Sequence, residues 1–122
     1  MMCTHVKQRT TFGASLADRQ AIQWWIADAA TKLHACRLMV MDAAVKQDEG
    51  RDVRMEASMI KVFATEMATE VIDHAQQAFG AMGVTQELPL ALMAQKVRTM
   101  RVYEGPSEVH RMVIARRILG GR

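Results

Sequence analysis

Apolar residues recur at intervals of three and four along two long stretches of the chain, which is the spacing of one face of an α-helix. The first helix is predicted from about Leu16 to Gln47, before Gly50, a residue typical of helix ends. The second is predicted from about Asp52 to Phe79. Its apolar stripe is two rows wide, so we expect it to be covered by more than its own chain. The stripe of the first helix comprises Ile22, Trp25, Ile26, Ala29, Leu33, Cys36 and Val40.

Two shorter helices are predicted in the second half of the chain. One runs from about Pro89 to Met100 and the other from about Ser107 to Leu119, with the break Glu104-Gly105-Pro106 between them. The first thirteen residues read as the tail of a further helix that enters a turn. The pattern predicts one all-α domain over residues 1–122, an antiparallel up-and-down four-helix bundle.

Composition supports a helical domain and excludes several classes of function. Half of the residues are hydrophobic, only 5% are aromatic, and there are two prolines. A net charge of +3 is weak for a nucleic-acid binder, and the C-terminal arginines suit a helix dipole. Two cysteines and four scattered histidines have no metal-ligand spacing, and no apolar run has the length of a membrane span. We therefore expect no metal, no nucleic acid, no membrane span and a cytoplasmic setting. The C-terminal arginines are Arg111, Arg116, Arg117 and Arg122.

Three short stretches carry residues that bundle packing does not require. In Gln8–Gly13, an arginine, hydroxyls and an aromatic ring at a turn could bind a phosphate, or form only a polar turn with one buried Phe. In Gln76–Gly83, two glycines and an amide could admit a ligand, or form only a helix C-cap. The third is Tyr103–Pro106, where one carboxylate sits on a Gly-Pro break. It is either a surface acid in a loop or a base aimed at a substrate. The N–H groups at the start of the next helix are expected to be free for an anion or a cofactor.

In this order, the motifs Arg-x-Thr-Phe-Gly, Gln-x-x-Gly-x-x-Gly and Tyr-Glu-Gly-x-Ser-Glu-x-x-Arg resemble the C-terminal α-helical domain of acyl-CoA dehydrogenases. The resemblance extends from Val6 to the end of the chain. The His-Arg pair, and Pro106 in place of the family's usual Thr, are most similar to the branch that handles longer or unusual acyl chains. Full-length members also carry an N-terminal helical domain and a middle β-domain. The resemblance implies that both lie outside these residues, either in a longer protein or in a separate partner chain.

The resemblance also implies roles for individual residues. Glu104 matches the catalytic base. Arg9, Thr11, Gln77 and Ala81 match residues that reach the FAD of a neighbouring subunit, and Phe12 lies beside the flavin. Pro106 lacks the hydroxyl and N–H of the usual Thr, and Ala81 leaves less room than Gly. The expected cofactor-binding residues are Arg9, Thr11, Phe12, Gln77, Gly80, Ala81, Pro106 and Glu108.

The activity that the resemblance implies is FAD-dependent α,β-dehydrogenation of an acyl-CoA thioester, as in fatty acid metabolism. It further implies a homo-oligomer, dimer or tetramer, and an electron-transfer flavoprotein as the expected electron acceptor. The alternative is a non-catalytic helical module for oligomerisation or assembly that is derived from the same domain.

Overall fold

Five α-helices and one small hairpin follow one another along residues 1–120, the part of the chain that the computed structural model describes. In order they are α1 (Met2–Gln8), β1 (Thr10–Thr11), β2 (Ala14–Ser15), α2 (Gln20–Asp48), α3 (Arg54–Phe79), α4 (Leu90–Met100) and α5 (Ser107–Ile118). Short 3-10 turns occupy Leu16–Asp18 and Gly80–Val84. The all-α fold is therefore confirmed, and each predicted helix is present. Helix α2 begins later than predicted because the chain first makes the turn at Leu16–Asp18.

Helix α3 is the packing partner that the other helices share. Helices α1, α2, α4 and α5 all lie against it. Helices α2 and α3 are antiparallel, since Lys46 Nζ lies 2.8 Å from a carboxylate oxygen of Glu56 and Lys32 Nζ lies 2.7 Å from one of Glu70. Every residue from 59 to 72 is buried or half-buried. The chain's own helices thus cover much of the double-width stripe predicted for α3.

Helix α2 carries the exposed apolar surface instead. Its inner side buries Ile22 and Cys36. Two members of its predicted stripe, Leu33 and Val40, are 44% and 46% exposed. A long helix that packs on a single long neighbour buries only a narrow arc of its circumference. Its exposed large apolar side chains are Trp24, Leu33, Leu38, Val40, Met41 and Val45.

The hairpin follows α1 directly and was predicted only as a turn. Strands β1 and β2 are antiparallel, and their two-residue loop is Phe12-Gly13, with φ of 50° and 76°. Positive φ at both loop positions is the type I′ geometry that suits a tight hairpin. The Ser15 hydroxyl donates to the carbonyl of Val6, 2.9 Å away, and Val6 is 1% exposed. The hairpin is therefore fixed to the small core between α1, α2 and α3.

Two C-terminal arginines tether α5 to the α3 region. Arg111 donates to Glu66 at 2.7 Å, and Arg117 donates to Asp52 at 2.6 Å. These contacts agree with a structural role for the basic end of the chain, although Arg122 lies outside the described residues. Within residues 1–120, no helix combines the length and the apolarity needed to cross a membrane.

Asp52 joins the start of α3 to the end of α5. Its carboxylate accepts from the Arg54 guanidinium at 2.8 and 2.9 Å, from the Arg54 backbone N–H at 3.0 Å, and from Arg117 at 2.6 Å. These hydrogen bonds, foremost those of the Arg54 side chain, hold the pKa of Asp52 well below its usual range. The ionised carboxylate therefore favours the folded state.

We expect Asp52→Asn to lower the melting temperature at about pH 7, because the amide cannot balance two guanidinium groups. A pKa depressed by folding contributes stability that is present above the unfolded value of 3.8 and lost as the pH falls through the folded value. Thermal melts between about pH 7 and pH 2 should therefore show the two proteins converging at the acid end. Glu49→Gln is the control, since within residues 1–120 the Glu49 side chain pairs only with Arg51, at 3.5 Å. A difference that stays constant down to about pH 2 would contradict this account.

Candidate functional site

A surface pocket of about 420 Å³ lies where α1, the hairpin and the C-terminal end of α3 meet. It brings together five of the predicted cofactor-binding residues, which come from two motifs far apart in the sequence. The pocket is lined by His5, Arg9, Thr11, Leu16, Gln77, Ala78, Phe79, Gly80, Ala81 and Met82.

Two glycines shape the turn that forms one wall of this pocket. Gly80 ends α3 with a φ of 63°, which favours glycine. Gly83 is buried, and a Cβ added to it would lie 2.7 Å from the Cα of Gln76, closer than side chains approach a backbone. The Gln76 amide donates to the Gly83 carbonyl at 3.2 Å, while its neighbour Gln77 is exposed and lines the pocket. The C-cap predicted for this stretch is thus present, and the same turn presents Gln77.

The pocket combines a flat aromatic wall with polar donors. The His5 and Phe79 rings are stacked, with centroids 4.0 Å apart. Arg9 is exposed, and the Thr11 carbonyl accepts from Arg19 at 2.6 Å, which holds the hairpin in place. A guanidinium, a hydroxyl and an amide beside a ring suit a phosphate attached to a planar group. His5 was not predicted, although it lies four residues before Arg9, whose backbone N–H donates to the His5 carbonyl at 2.9 Å where α1 ends.

Phe12 lies at the tip of the hairpin and is fully exposed, at 101%. The alternative of a polar turn with one buried Phe is therefore wrong. Phe12 has a φ of 50°, in the left-handed region that costs a bulky residue about 1–2 kcal/mol. The strained backbone thus occurs at a residue whose aromatic ring lies outside the domain's own core.

Glu104 also has left-handed backbone, with a φ of 52°, and is followed by Gly105 at 90°. Its side chain is exposed, as are those of Pro106 and Glu108 next to it. The expectation that the N–H groups at the start of α5 are free is wrong for Ser107. That N–H donates to the carbonyl of Arg101 at 3.2 Å, because the chain folds back tightly between α4 and α5.

The Glu104 loop is fixed to α3 by polar contacts that were not predicted from the sequence. Lys61 donates to the Gly105 carbonyl, and His110 bridges the Glu104 carbonyl and the Ser58 hydroxyl. The His-Arg pair was noted in the sequence as a family feature, but its spacing gave no sign of these partners.

Two unsatisfied polar atoms flank the same loop. Within residues 1–120, the buried side-chain atoms without a hydrogen-bond partner are Arg101 Nε and Ser107 Oγ. Buried polar groups are nearly always paired in folded proteins. Arg101 lies three residues before Glu104 and Ser107 three residues after it.

The pocket and the Glu104 loop lie at different ends of α3. The loop contacts α3 at Ser58 and Lys61, whereas the pocket contacts it at Gln77. Sixteen residues separate Lys61 from Gln77, which is about 24 Å along a helix. The structure therefore does not bring Glu104 together with Arg9 and Gln77 in one small site.

Fold and site together define an all-α domain with a polar pocket at one end of α3 and the exposed carboxylate of Glu104 near the other. Residues 1–119 match the family model described as the acyl-CoA dehydrogenase C-terminal domain. The chain belongs to this family.

Similar proteins agree with that assignment. The (R)-benzylsuccinyl-CoA dehydrogenase of Thauera aromatica is 46% identical over 120 residues, which are 98% of this chain and 30% of that protein. The structure of butyryl-CoA dehydrogenase from Megasphaera elsdenii superimposes with a TM-score of 0.91 at 33% identity, over 97% of this chain and 31% of the other. A chain in the structure of the electron transferring flavoprotein of Acidaminococcus fermentans also has a TM-score of 0.91, at 36% identity and with the same coverage. The chain thus spans about a third of the length of these proteins.

Proposed function

We propose that this chain is the FAD- and substrate-binding C-terminal domain of an acyl-CoA dehydrogenase and supplies the base for α,β-dehydrogenation. One observation carries the proposal. Among residues 1–120, the non-glycine residues with positive φ are Phe12 and Glu104. Both are exposed, and both are residues that the family resemblance directs toward flavin or substrate. Strained backbone clusters at functional sites, and no packing inside this domain accounts for either side chain.

The residues of the pocket fit part of an FAD molecule. Arg9 and Thr11 offer donors to phosphate, Gln77 can hydrogen-bond a base or a ribose, and the stacked rings of His5 and Phe79 offer a flat apolar wall. An open pocket of about 420 Å³ holds a fragment of FAD rather than the whole molecule. We infer that other domains or subunits bind the remainder.

Glu104 supplies the chemistry that this chain contributes to the reaction. In the ionised form, one of its carboxylate oxygens accepts the proton from the α-carbon of the thioester. Bound FAD would accept the hydride that leaves the β-carbon, so that a carbon–carbon double bond forms. Glu104 lies exposed in the left-handed break between α4 and α5, where it can reach a substrate held by other domains.

The separation of the two parts of the site supports an oligomeric enzyme. The pocket and Glu104 lie about 24 Å apart along α3, so they suit different parts of the cofactor or different FAD molecules. The exposed apolar side chains of α2 offer a surface for a second copy. We therefore propose a cytoplasmic homo-oligomer, dimer or tetramer, with an electron-transfer flavoprotein as acceptor. We infer from the His-Arg pair and from Pro106 that the substrate carries a longer or unusual acyl group.

A non-catalytic assembly module remains the second candidate, since the same α2 surface serves it equally well. An exposed acid in strained backbone has no use in such a module. The experiments on Glu104 and Arg9 separate the two functions.

We expect Glu104→Gln to abolish most of the activity. The test uses a chimera in which this chain replaces the matching C-terminal segment of the Thauera aromatica relative, assayed with that enzyme's own acyl-CoA substrate. An amide cannot accept the α-proton, so flavin bleaching should slow by about 10²–10⁴-fold while substrate still binds. Glu104→Asp should fall in between, because a shift of about 1 Å already lowers the rate strongly. Glu87→Gln is the matched control, since Glu87 is an exposed acid outside both the pocket and the Glu104 loop. If Glu104→Gln slows bleaching less than about tenfold, the base lies elsewhere.

We expect Arg9→Gln to weaken FAD binding in the chimera by about tenfold or more, because a charged hydrogen bond to phosphate is lost. Arg9→Lys should recover only part of the affinity, since an ammonium lacks the planar fork of the guanidinium. Lys7→Gln removes the same charge from α1 at a position outside the pocket and should leave the affinity unchanged. Equal losses in the Arg9 and Lys7 variants, measured by flavin fluorescence, would argue against the pocket.

We expect Leu38→Glu combined with Met41→Glu to convert the oligomer to smaller species in light scattering at micromolar concentrations. Two charges in the middle of an apolar interface are costly to bury. Gln20→Glu combined with Gln47→Glu adds the same charge to exposed positions near the ends of α2 and should preserve the mass. A wild-type chain that scatters as a monomer would refute the α2 interface.

A further inference from the structure

Both carbonyl groups of the Glu104–Gly105 unit are held by side chains. His110 Nε2 lies 3.1 Å from the Glu104 carbonyl oxygen. The ammonium group of Lys61, on α3, donates to the carbonyl of Gly105. Since φ is positive at both residues, the two contacts act on a segment of left-handed backbone. The contacts fix the segment in its left-handed form.

The His110 ring is itself fixed at both nitrogens. Its Nδ1 lies 3.1 Å from the hydroxyl oxygen of Ser58, which is 5% exposed. A carbonyl oxygen can only accept, so Nε2 carries the proton that is donated to Glu104. Nδ1 faces the Ser58 hydroxyl, which itself donates to the Arg54 carbonyl at 2.9 Å. A ring bonded at both nitrogens has one orientation, as in other sites where a second partner orients a histidine.

Gly105 lets the imidazole come this close. A Cβ added to Gly105 would lie 3.0 Å from His110 Nε2, and the φ of 90° is unfavourable for other residues. The glycine of the Glu104-Gly105-Pro106 break thus serves the contact with His110 as well as the turn.

Helix α5 does not depend on His110 alone for its attachment to α3. The next residue, Arg111, donates to both carboxylate oxygens of Glu66 at 2.7 Å. His110 therefore contacts the loop itself, whereas Arg111 attaches helix α5 to α3.

We propose that His110 is a positioning residue for Glu104. It acts through the Glu104 carbonyl and holds the acid in its left-handed conformation before substrate arrives, with Lys61 fixing the adjoining carbonyl. This inference rests on the proposed function, in which Glu104 is the base. The physical reason for a positioning residue is that the reaction slows strongly when a reacting group is misplaced by about 1 Å.

Two substitutions of His110 test the contacts of its two ring nitrogens separately. In His110→Gln the longer amide can replace Nε2 and still donate to the Glu104 carbonyl. In His110→Asn the shorter amide can replace only Nδ1 and reach Ser58. NMR of the isotope-labelled 122-residue chain measures the mobility of the loop directly. The backbone order parameter of Gly105 should be about 0.85 in wild type and His110→Gln, and below about 0.6 in His110→Asn.

Kinetics of the chimera then test the effect on the reaction. His110→Asn should lower kcat by about 10–100-fold with little change in KM, and His110→Gln should stay within about threefold of wild type. Arg111→Gln is the control, with a lower melting temperature but unchanged kcat. In a Glu104→Gln background, His110→Asn should cause no further loss, because it acts only through that carboxylate. Circular dichroism establishes that each variant is folded.

The outcomes distinguish this inference from the function on which it rests. An active Glu104→Gln chimera overturns both. An inactive Glu104→Gln chimera with a fully active His110→Asn overturns only the positioning role. Equal losses in His110→Gln and His110→Asn, or an ordered Gly105 in His110→Asn, also overturn it.

Discussion

The packing of the other helices against α3 sets the geometry of the candidate site. Buried positions along α3 include Val62, Ala75 and Ala78, whose small or β-branched side chains let neighbouring elements approach closely. The Glu104 loop is bound near the start of this helix, and the pocket is formed at its end. Because α3 is one continuous helix of 26 residues, the distance between the two parts is fixed by its rise per residue. No small motion of a loop can bring the pocket and Glu104 together, so under the proposed function the domain would contribute to two separated regions of a larger site.

Helix α5 depends on polar contacts to a greater degree than the rest of the domain. Its one fully buried residue is Ser107, and its links to the body run through Arg111 to Glu66 and Arg117 to Asp52. Exposed ion pairs contribute at most about 1 kcal/mol each, far less than a buried apolar face. Helix α5 and the loop before it therefore belong to the less stable end of the domain. An acid placed there needs local contacts to stay in position, which is the setting in which His110 and Lys61 act.

The sequence predicts what depends on periodicity and on local breaks. Helices α3, α4 and α5 begin and end within two residues of their predicted bounds, because apolar spacing and the residues Gly80, Pro89 and Gly105 mark them. The five predicted residues that line the pocket came from the family resemblance and not from periodicity or spacing. The hairpin was not predicted, because strands of two residues are too short to show an alternation of apolar and polar positions. The roles of His110 and Ser58 were also hidden: 52 residues separate them, and only the packing of α5 on α3 joins them.

Strain at Phe12 and Glu104 links stability to the proposed activity. Each left-handed residue costs about 1–2 kcal/mol, in a domain whose total stability is expected to be about 5–15 kcal/mol. Glycine at either position would remove that cost but would also remove the ring or the acid. In both places the chain instead supports the strained residue with a glycine after it and a cation on a neighbouring carbonyl. Gly13 and Arg19 serve the hairpin, and Gly105 and Lys61 serve the loop. Two unrelated segments thus reach the same arrangement, in which polar contacts hold a strained backbone while its side chain stays exposed. A fixed backbone at these positions gains nothing for the isolated domain. It lowers the entropy cost of contacting a partner or substrate that the domain meets from outside.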